Sequence, residues 1–307
     1  MINNTSNAYP KFQIISVPDK ASEDSEQLGT KEKFWYWQHD KRYLFKAVRP
    51  HTGEHWSEKV ACELCTLLGL PHAHYELAVW KDRKGVITPS IVSDGQQLVH
   101  GNELLAHVYN DYPTHEKYRV KQHTLKDIFV LMNNPMVQLP LDWEPTEGIE
   151  TAFDVFIGYL LLDAWIANQD RHHENWAFII TKEGRIHLAA TFDHGAALGR
   201  NESDASRRER LETRDKRRNI AHYVTKARSA IYDKLSSKKP LHTLTVFLKA
   251  AQKRPLAGKI WLNRLKKVSS AQIQQIFAQI PVTEITPIAS EFAQQILVLN
   301  YKRLLTD

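Results

Sequence analysis

The sequence lacks any apolar run long enough to cross a membrane. Its most apolar segment, residues 153–167, is short and carries Asp154 and Asp163, whereas a membrane helix needs about 20 predominantly apolar residues. The first residues also have neither the basic region nor the apolar region of a secretory signal. We therefore predict a cytoplasmic protein with no membrane partner.

Cysteine is scarce as well. The two cysteines, Cys62 and Cys65, form a C-x-x-C pattern inside a predicted helix at 58–68. A structural zinc site takes about four ligands, and the sequence has no second cysteine pair. We interpret both cysteines as small helix residues in a reducing cytoplasm.

What the sequence does contain changes character near residue 100. Internal repeats and low-complexity tracts are absent, and 307 residues with 42% hydrophobic content suffice for a large buried core. Alternating and periodic apolar residues predict the following elements: strands at 34–37, 43–48, 75–80 and 86–88, a helix at 58–68, helices at 125–132 and 151–168, a hairpin at 177–180 and 185–189, and helical segments at 206–235, 241–252, 270–280 and 289–305. This order predicts an α+β, two-lobe fold, with a small β-rich N-terminal lobe (1–98) and a larger helical C-terminal lobe (99–307).

The positive charge is concentrated in one stretch. Residues 200–239 contain 13 Lys/Arg and 6 Asp/Glu, a local charge of +7, although the whole chain carries only +6. Such a stretch can bind nucleic acid, acidic protein or phosphate. Because its basic residues do not alternate with aromatic ones and it has no known DNA-binding pattern, we favour a solvated helical face over direct nucleic-acid binding.

A polar cluster follows the predicted buried helix. Residues 168–175 read Asn-Gln-Asp-Arg-His-His-Glu-Asn, and Phe-Asp-His-Gly at 192–195 follows the second hairpin. Phosphoryl transfer needs oxygen ligands for Mg²⁺, which Asn175 and Asp193 offer, and a separate carboxylate to accept the proton of the acceptor hydroxyl, which Asp170 offers. The order Asp-x-x-x-x-Asn, hairpin, Asp-x-Gly matches the catalytic loop and metal-binding Asp of protein kinases. The sequence therefore predicts an ATP- and Mg²⁺-dependent phosphotransferase with a protein-kinase-like core.

A lysine in the predicted N-terminal lobe fits the same interpretation. Lys46 lies on the strand predicted at 43–48, where a kinase keeps the lysine that contacts the α- and β-phosphates. A buried lysine needs a carboxylate partner to keep its charge. We expect this partner to be Glu58 at the start of the next helix, with Glu63 as the alternative.

Each of these pieces also has a simpler interpretation. Lys46 alone fits a solvated lysine at a strand end, and the Asp-His-Gly at 193–195 alone fits an ordinary turn. His172 and His173 with Asp170 and Asp193 fit the metal cluster of a hydrolase. The joint order of the motifs along 150 residues favours the kinase.

Both polar motifs resemble those of the HipA-like serine/threonine kinases, the toxin kinases of bacterial toxin–antitoxin systems. Residues 167–175 are similar to the family's N-x-D-R-H-x-x-N loop, and residues 188–195 to its L-A-P-x-F-D-x-G motif. The resemblance implies a HipA-like, two-lobe kinase fold and a serine/threonine protein kinase with ATP and Mg²⁺ as cofactors. A translation-related protein is then one expected substrate.

The resemblance also implies roles for individual residues. Asp170 becomes the catalytic base, Asn175 and Asp193 hold Mg²⁺, and Lys46 contacts ATP. The basic residues after Asp193 then fall where kinases place the activation segment that meets the substrate. An acidic protein, or a protein that carries nucleic acid, is the substrate that this charge would suit.

The stretch just before the first hairpin is expected to cover the phosphates through Gly29, Thr30 and Lys31, although one glycine does not make a glycine-rich loop. In relatives, autophosphorylation on this loop silences the kinase, and Ser22, Ser25 and Thr30 are the hydroxyls in the corresponding area. Toxins of the family also carry an extra N-terminal subdomain, for which this chain lacks room. The chain thus resembles a short, core-only member, with a small antitoxin or accessory protein as an expected partner.

Two other functions stay open at this point. One is a kinase for a lipid or another small molecule, because the sequence does not describe the acceptor pocket. The other is a nucleotide-binding regulator with little activity that acts through its basic stretch.

Overall fold

The computed structural model describes residues 9–22 and 32–306. Two β-sheets and a set of helices make up this part of the chain. In chain order its elements are β1 (Ile14–Ser16), a 3₁₀ helix (Asp19–Ser22), β2 (Lys33–Gln38), β3 (Lys41–Ala47), α1 (Glu54–Leu68), β4 (Glu76–Trp80), β5 (Arg83–Pro89), β6 (Gln97–His100), α2 (Gly101–Ala106), α3 (Leu125–Met132), β7 (Val137–Gln138), α4 (Ala152–Ile166), β8 (Ala177–Ile180), β9 (Ile186–Leu188), α5 (Asp204–Glu212), α6 (Ile220–Thr225), α7 (Thr243–Lys253), α8 (Pro255–Lys267), α9 (Ser270–Gln279) and α10 (Pro287–Thr306).

The first sheet has five strands in the order β1-β4-β5-β3-β2, antiparallel except for the β1–β4 pair. The predicted hairpin is confirmed as β2 and β3. His39 and Asp40 between them have positive φ angles of 47° and 59°, which is the backbone of the two-residue turn that matches the twist of paired strands. The resulting register places Lys33 opposite Lys46.

Helix α1 begins at Glu54, four residues before the predicted start. Its first turn contains the buried side chains of Glu54, His55 and Trp56. Because Glu54 and His55 are polar, the apolar spacing of the sequence did not predict this turn. The helix ends as predicted at Gly69, whose φ of 66° is the left-handed conformation that glycine adopts without strain. The helix packs against β4 and β5.

The second sheet has four strands in the order β6-β8-β9-β7. Strand β6 pairs with β8 in antiparallel register, so a strand that precedes α2 belongs to the sheet of the later hairpin. The expected boundary between residues 98 and 99 falls inside β6 and stays a prediction.

The helices after residue 100 surround α4, whose 15 residues are all buried. Helices α7, α8 and α10 pack against it. The α+β architecture, with a small β-rich part followed by a larger helical part, is confirmed.

One predicted helical region was wrong, and one helix was missed. The segment at 206–235 is not one helical region, because it forms α5 and α6 and then an irregular stretch held by β-bridges. Helix α8 was not predicted; it begins with Pro255 at its first position, where the missing N–H costs nothing. Within residues 9–22 and 32–306, no helix combines the length and the apolar character that crossing a bilayer requires.

Candidate active site

The polar loop after α4 is fixed by a buried ion pair. Helix α4 ends at Ile166, and the next residue, Ala167, takes a left-handed φ of 55° and turns the chain into residues 168–176. Arg171 is completely buried and donates from Nε and Nη2 to the two carboxylate oxygens of Asp163, at 2.7 and 2.8 Å. Its Nη1 donates to the backbone oxygen of Asn175 at 2.7 Å. One guanidinium therefore connects the core helix to the far end of the loop.

Hydrogen bonds to its backbone N–H and C=O groups hold Asp170 in place. Its N–H donates to Asn168 Oδ1 at 3.1 Å, and its C=O accepts from Asn175 Nδ2 at 2.7 Å. The hydroxyl of Tyr118 donates to the Asp170 carboxylate, and burial together with this carboxylate raises the pKa of Tyr118 to about 12. The backbone contacts thus position Asp170 while its carboxylate stays partly exposed, at 23%.

Lys46 on β3 and Asp193 after β9 form an ion pair. Lys46 Nζ lies 3.2 Å from Asp193 Oδ1, with the lysine side chain 12% exposed and the aspartate 41% exposed. Burial alone lowers the pKa of Lys46, but Asp193, Tyr75 and Glu58 together outweigh it, so the pKa is raised above the ordinary value. Lys46 also lies over the ring of Tyr75, 5.4 Å from its centroid. Lys46 is therefore a buried, charged lysine and not a solvated strand-end residue.

The Glu58 carboxylate contacts the segment that carries Asp193. Its oxygens accept the backbone N–H groups of His194 and Gly195, at 2.6 and 2.9 Å. We expected Glu58 to be the ion-pair partner of Lys46; it adds to the raised pKa of that lysine, but the ion pair joins Lys46 to Asp193. The alternative partner, Glu63, pairs with Lys59 at 2.8 Å. The Asp-His-Gly segment is thus anchored to α1.

Two adjoining cavities lie where these residues meet, with volumes of about 340 and 150 Å³. The larger cavity has a mostly apolar lining, which also includes Asn175. The smaller one is more polar, and its lining includes Asp170 and Glu58. Five residues line both: Lys33, Lys46, Lys117, His172 and Asp193. All the predicted site residues in the described part of the chain therefore line one continuous cleft.

Sequence reasoning missed two lysines of this cleft. Lys33 on β2 faces the same cavities as Lys46, and burial followed by Lys46 and Lys117 lowers its pKa. Counting back from the predicted hairpin turn pairs Lys33 with Lys46, so the sequence contained a signal for it. Lys117 lies in the irregular segment between α2 and α3, 2.7 Å from Glu174, and no sequence pattern marked it.

The hydrolase-type metal cluster does not form among the described residues. His173 turns away from the cleft, with Nδ1 2.7 Å from Tyr112 Oη and its ring beside His123. His172 stays in the cleft, and its Nδ1 accepts the N–H of Glu174. In residues 9–22 and 32–306, the Asp, Glu, His and Cys side chains that come close enough to hold a metal together belong to another part of the fold.

Several arginines of the basic stretch are paired within the fold. Arg207 is buried and bonds to Asp204 and to the backbone oxygen of Gly199. Arg210 Nε pairs with Glu202 at 3.0 Å, and its guanidinium stacks 4.8 Å from the ring of Tyr223. These arginines hold α5 in place; the exposed basic residues that remain include Arg208, Arg214 and Arg217.

The phosphate-covering segment cannot be placed on this site. Gly29, Thr30 and Lys31 lie outside the described residues, as does Ser25, and so does the side chain of Ser22. Their roles stay predictions.

Comparison with solved structures places this geometry in a known fold. A Helicobacter pylori proinflammatory kinase, CtkA, matches with a TM-score of 0.70 at 18% identity, over 96% of this chain and 99% of that one. The match covers both sheets and the helical part. The fold is that of the HipA-like kinases.

A HipA toxin supports the same fold. HipA from Shewanella oneidensis, solved with HipB and its operator DNA, matches with a TM-score of 0.55 at 12% identity, over 90% of this chain and 64% of that one. No protein-family model and no curated protein matches the sequence. The predicted resemblance to HipA-like kinases is thus confirmed at the level of fold.

Proposed function

We propose that this protein is an ATP-dependent serine/threonine protein kinase. The observation that carries the proposal is the ion pair between Lys46 and Asp193, in a cleft that Asp170 and Asn175 also line. These four residues come from β3, the loop after α4 and the loop after β9. Kinases use the same four residue types in this chain order.

The two cavities suit the two parts of ATP. The larger one has an apolar lining that includes Leu44, Ile91 and Phe192, which fits a flat, weakly polar base. Lys33, Lys46 and Lys117 stand where it meets the polar cavity, and three ammonium groups suit a triphosphate. We therefore place the adenine in the larger cavity and the phosphates along the lysines.

The donor set suits Mg²⁺. The amide nitrogen of Asn175 donates to the backbone oxygen of Asp170, so the amide oxygen is the atom left for a metal. With the partly exposed Asp193 carboxylate it gives two hard oxygen donors, and Mg²⁺ usually binds through one or two such groups plus phosphates and water. Bound there, Mg²⁺ would neutralise charge on the phosphates.

Asp170 is the proposed catalytic base. In the transfer step the acceptor hydroxyl oxygen bonds to the γ-phosphorus, the bond to the β,γ-bridging oxygen breaks, and the hydroxyl proton passes to the Asp170 carboxylate. ADP leaves with the former bridging oxygen. Lys46, Lys33 and Lys117 hold the phosphates during this step.

The family resemblance and one fold neighbour motivate the acceptor and the partner. A protein hydroxyl, with a translation-related protein as one candidate, is proposed from the resemblance to HipA-like kinases. The HipA neighbour was solved with HipB and operator DNA, and this motivates a small antitoxin-like or accessory protein as a partner of the present chain. We propose a cytoplasmic location for both.

A radiolabelling experiment tests the function. Purified protein is incubated with γ-labelled ATP and Mg²⁺, alone and with cell extract, and the label is followed into protein, lipid and small-molecule fractions. We expect label on seryl or threonyl side chains of proteins. Label confined to the lipid or small-molecule fraction would instead identify a different kind of kinase, and ATP binding without any transfer would identify a regulator.

The matched variants are Asp170→Ala and Asp111→Ala. Asp170→Ala removes the proposed base from a loop whose backbone bonds remain, so transfer should fall by about 10²- to 10⁴-fold while ATP binding persists. Asp111 is exposed in the loop after α2 and lines neither cavity, and its replacement should leave the rate unchanged. Equal rates for the two variants would contradict the role of Asp170.

A further inference from the structure

A cysteine of α1 and two histidines of the segment that follows it lie close together. The ligand atoms of Cys62, His72 and His74 all lie within 4.8 Å of one another. Cys62 is buried in α1, His72 is half-buried and His74 is exposed, so the group extends from the protein interior to solvent. None of the three belongs to the site described above.

Hydrogen bonds already orient two of these side chains. His72 Nδ1 lies 2.7 Å from the backbone oxygen of Leu70, and a ring N–H donated to a backbone carbonyl orients a metal-binding histidine and leaves its other nitrogen for the metal. That nitrogen, Nε2, lies 3.3 Å from the hydroxyl of Thr66, a contact that the metal would replace. The Cys62 sulfur accepts the backbone N–H of Tyr75 at 3.4 Å. The histidine and the cysteine are thus already oriented by second partners.

The three ligand atoms need to move only slightly closer together to bind a zinc ion. Zinc bond lengths of about 2.3 Å to sulfur and 2.0–2.1 Å to nitrogen set tetrahedral ligands about 3.5 Å apart. The present atoms lie within 4.8 Å. The two imidazole rings already have centroids 4.8 Å apart, and the exposed side chain of His74 can turn without repacking the core.

We propose that Cys62, His72 and His74 form a binding site for a divalent transition metal, with Zn²⁺ as the ion that suits one thiolate and two imidazoles best. Water completes the fourth position at the exposed side of His74. Thiolate and imidazole ligands select Zn²⁺ and its neighbours over Mg²⁺, so this site and the proposed Mg²⁺ site take different ions.

The site is placed to stabilise the segment that supports Asp193. Residues 72–75 connect α1 to the loop after β9, because Ala73 N–H donates to Thr191 O at 2.9 Å and Asp193 N–H donates to Tyr75 Oη at 3.2 Å. A metal on Cys62 and both histidines would tie this segment to the helix. Its binding should therefore raise the unfolding temperature.

Cobalt titration tests the site without relying on kinase activity. Co²⁺ is added to the full chain under reducing conditions and the absorption spectrum is recorded. We expect an intense thiolate-to-cobalt charge-transfer band that one equivalent saturates and Zn²⁺ abolishes. The oxygen ligands of Asn175 and Asp193 give no such band, so failure of this site and failure of the proposed kinase site are distinguishable.

Variants assign the band to its ligands. Cys62→Ser should remove it, and His74→Ala, at an exposed position that leaves the fold intact, should weaken Zn²⁺ binding by at least about tenfold. Cys65→Ala, one turn along the same helix, and His51→Ala, at an exposed histidine, are the matched controls and should keep the band. The absence of a band in the wild type, or a band that survives Cys62→Ser, would overturn the proposal.

Discussion

The carboxylate of Glu58 accepts the backbone N–H of Gly195 at 2.9 Å, across 137 residues of sequence. Its other oxygen accepts the N–H of His194. The contact joins α1 of the small β-rich part to the loop that carries Asp193. A charged acceptor on two amides fixes a backbone more firmly than neutral partners do, so this glutamate positions the proposed metal ligand.

Replacing Glu58 by Gln should impair the metal-dependent step. The amide keeps the shape but loses the charge and one acceptor oxygen, so one of the two backbone N–H groups loses its partner. We expect kcat/KM for phosphotransfer to fall by about 10- to 100-fold, the range that one or two charge-assisted hydrogen bonds supply. The apparent Mg²⁺ affinity in the same assay should weaken in parallel.

The control for this change is Glu63→Gln on the same helix. Glu63 pairs with Lys59, away from the cleft, and its replacement should leave both quantities unchanged. If Glu58→Gln lowered only thermal stability and left the Mg²⁺ dependence intact, the positioning role would be refuted.

The lysines that sequence reasoning missed should contribute to ATP binding. Lys33→Ala and Lys117→Ala each remove one ammonium group from the cleft, and we expect KM for ATP to rise about tenfold in each, because a hydrogen bond to a charged group contributes about 1.5–3 kcal/mol. Steady-state kinetics at saturating Mg²⁺ measures the change. Lys121→Ala, an exposed lysine of the same loop as Lys117, should leave KM as it is; the same KM in all three variants would exclude phosphate contacts by Lys33 and Lys117.

Breaking the buried ion pair of Asp163 and Arg171 should strongly lower the free energy of unfolding. Asp163→Ala leaves the guanidinium of Arg171 buried without its carboxylate, which typically costs about 3–5 kcal/mol. Urea unfolding monitored by tryptophan fluorescence measures the loss of stability. The exposed pair of Glu183 and Arg185 gives the comparison: Glu183→Ala should leave stability nearly unchanged, because exposed ion pairs contribute little, and similar losses in the two variants would mean that the buried pair does not hold the loop.

His123 should make folding stability depend on pH. Burial, with a smaller contribution from His173, lowers the pKa of His123 to about 3, and its Nε2 accepts the indole N–H of Trp176 at 3.0 Å. In the unfolded chain a histidine titrates near pH 6.5. Between these values the unfolded state binds a proton that the folded state does not, so stability is full above about pH 6.5 and falls as the pH is lowered toward 3.

The loss should reach up to about 1.4 kcal/mol per pH unit within this window. Unfolding free energies measured from pH 7 to pH 4 for the wild type and His123→Asn test it, since the variant should lose this part of the slope. His115→Asn, at an exposed histidine, should keep the wild-type slope. A variant profile parallel to that of the wild type would show that His123 titrates normally in the folded protein.

Much of the architecture followed from local patterns. The β2–β3 hairpin was predictable because a polar turn separates two β-prone runs, and α4 because its apolar character continues on every side. Helix α8 was missed because Lys, Arg and Asn interrupt its apolar spacing. Strand β6 was missed because four residues that pair with a distant strand carry little periodicity of their own.

The sequence by itself determined the chemistry available to this protein: a base at Asp170, oxygen donors at Asn175 and Asp193, a lysine at 46, and the local elements that carry them. Only the tertiary structure decided which groups meet. In the folded chain Lys46 pairs with Asp193, and Glu58 accepts hydrogen bonds from the backbone of the segment that carries Asp193. Lys33 and Lys117 line the same cleft, and Cys62 lies beside His72 and His74. The physical reason is that residue spacing along a helix or strand fixes only which face a side chain occupies, whereas these contacts depend on how faces from distant elements pack together.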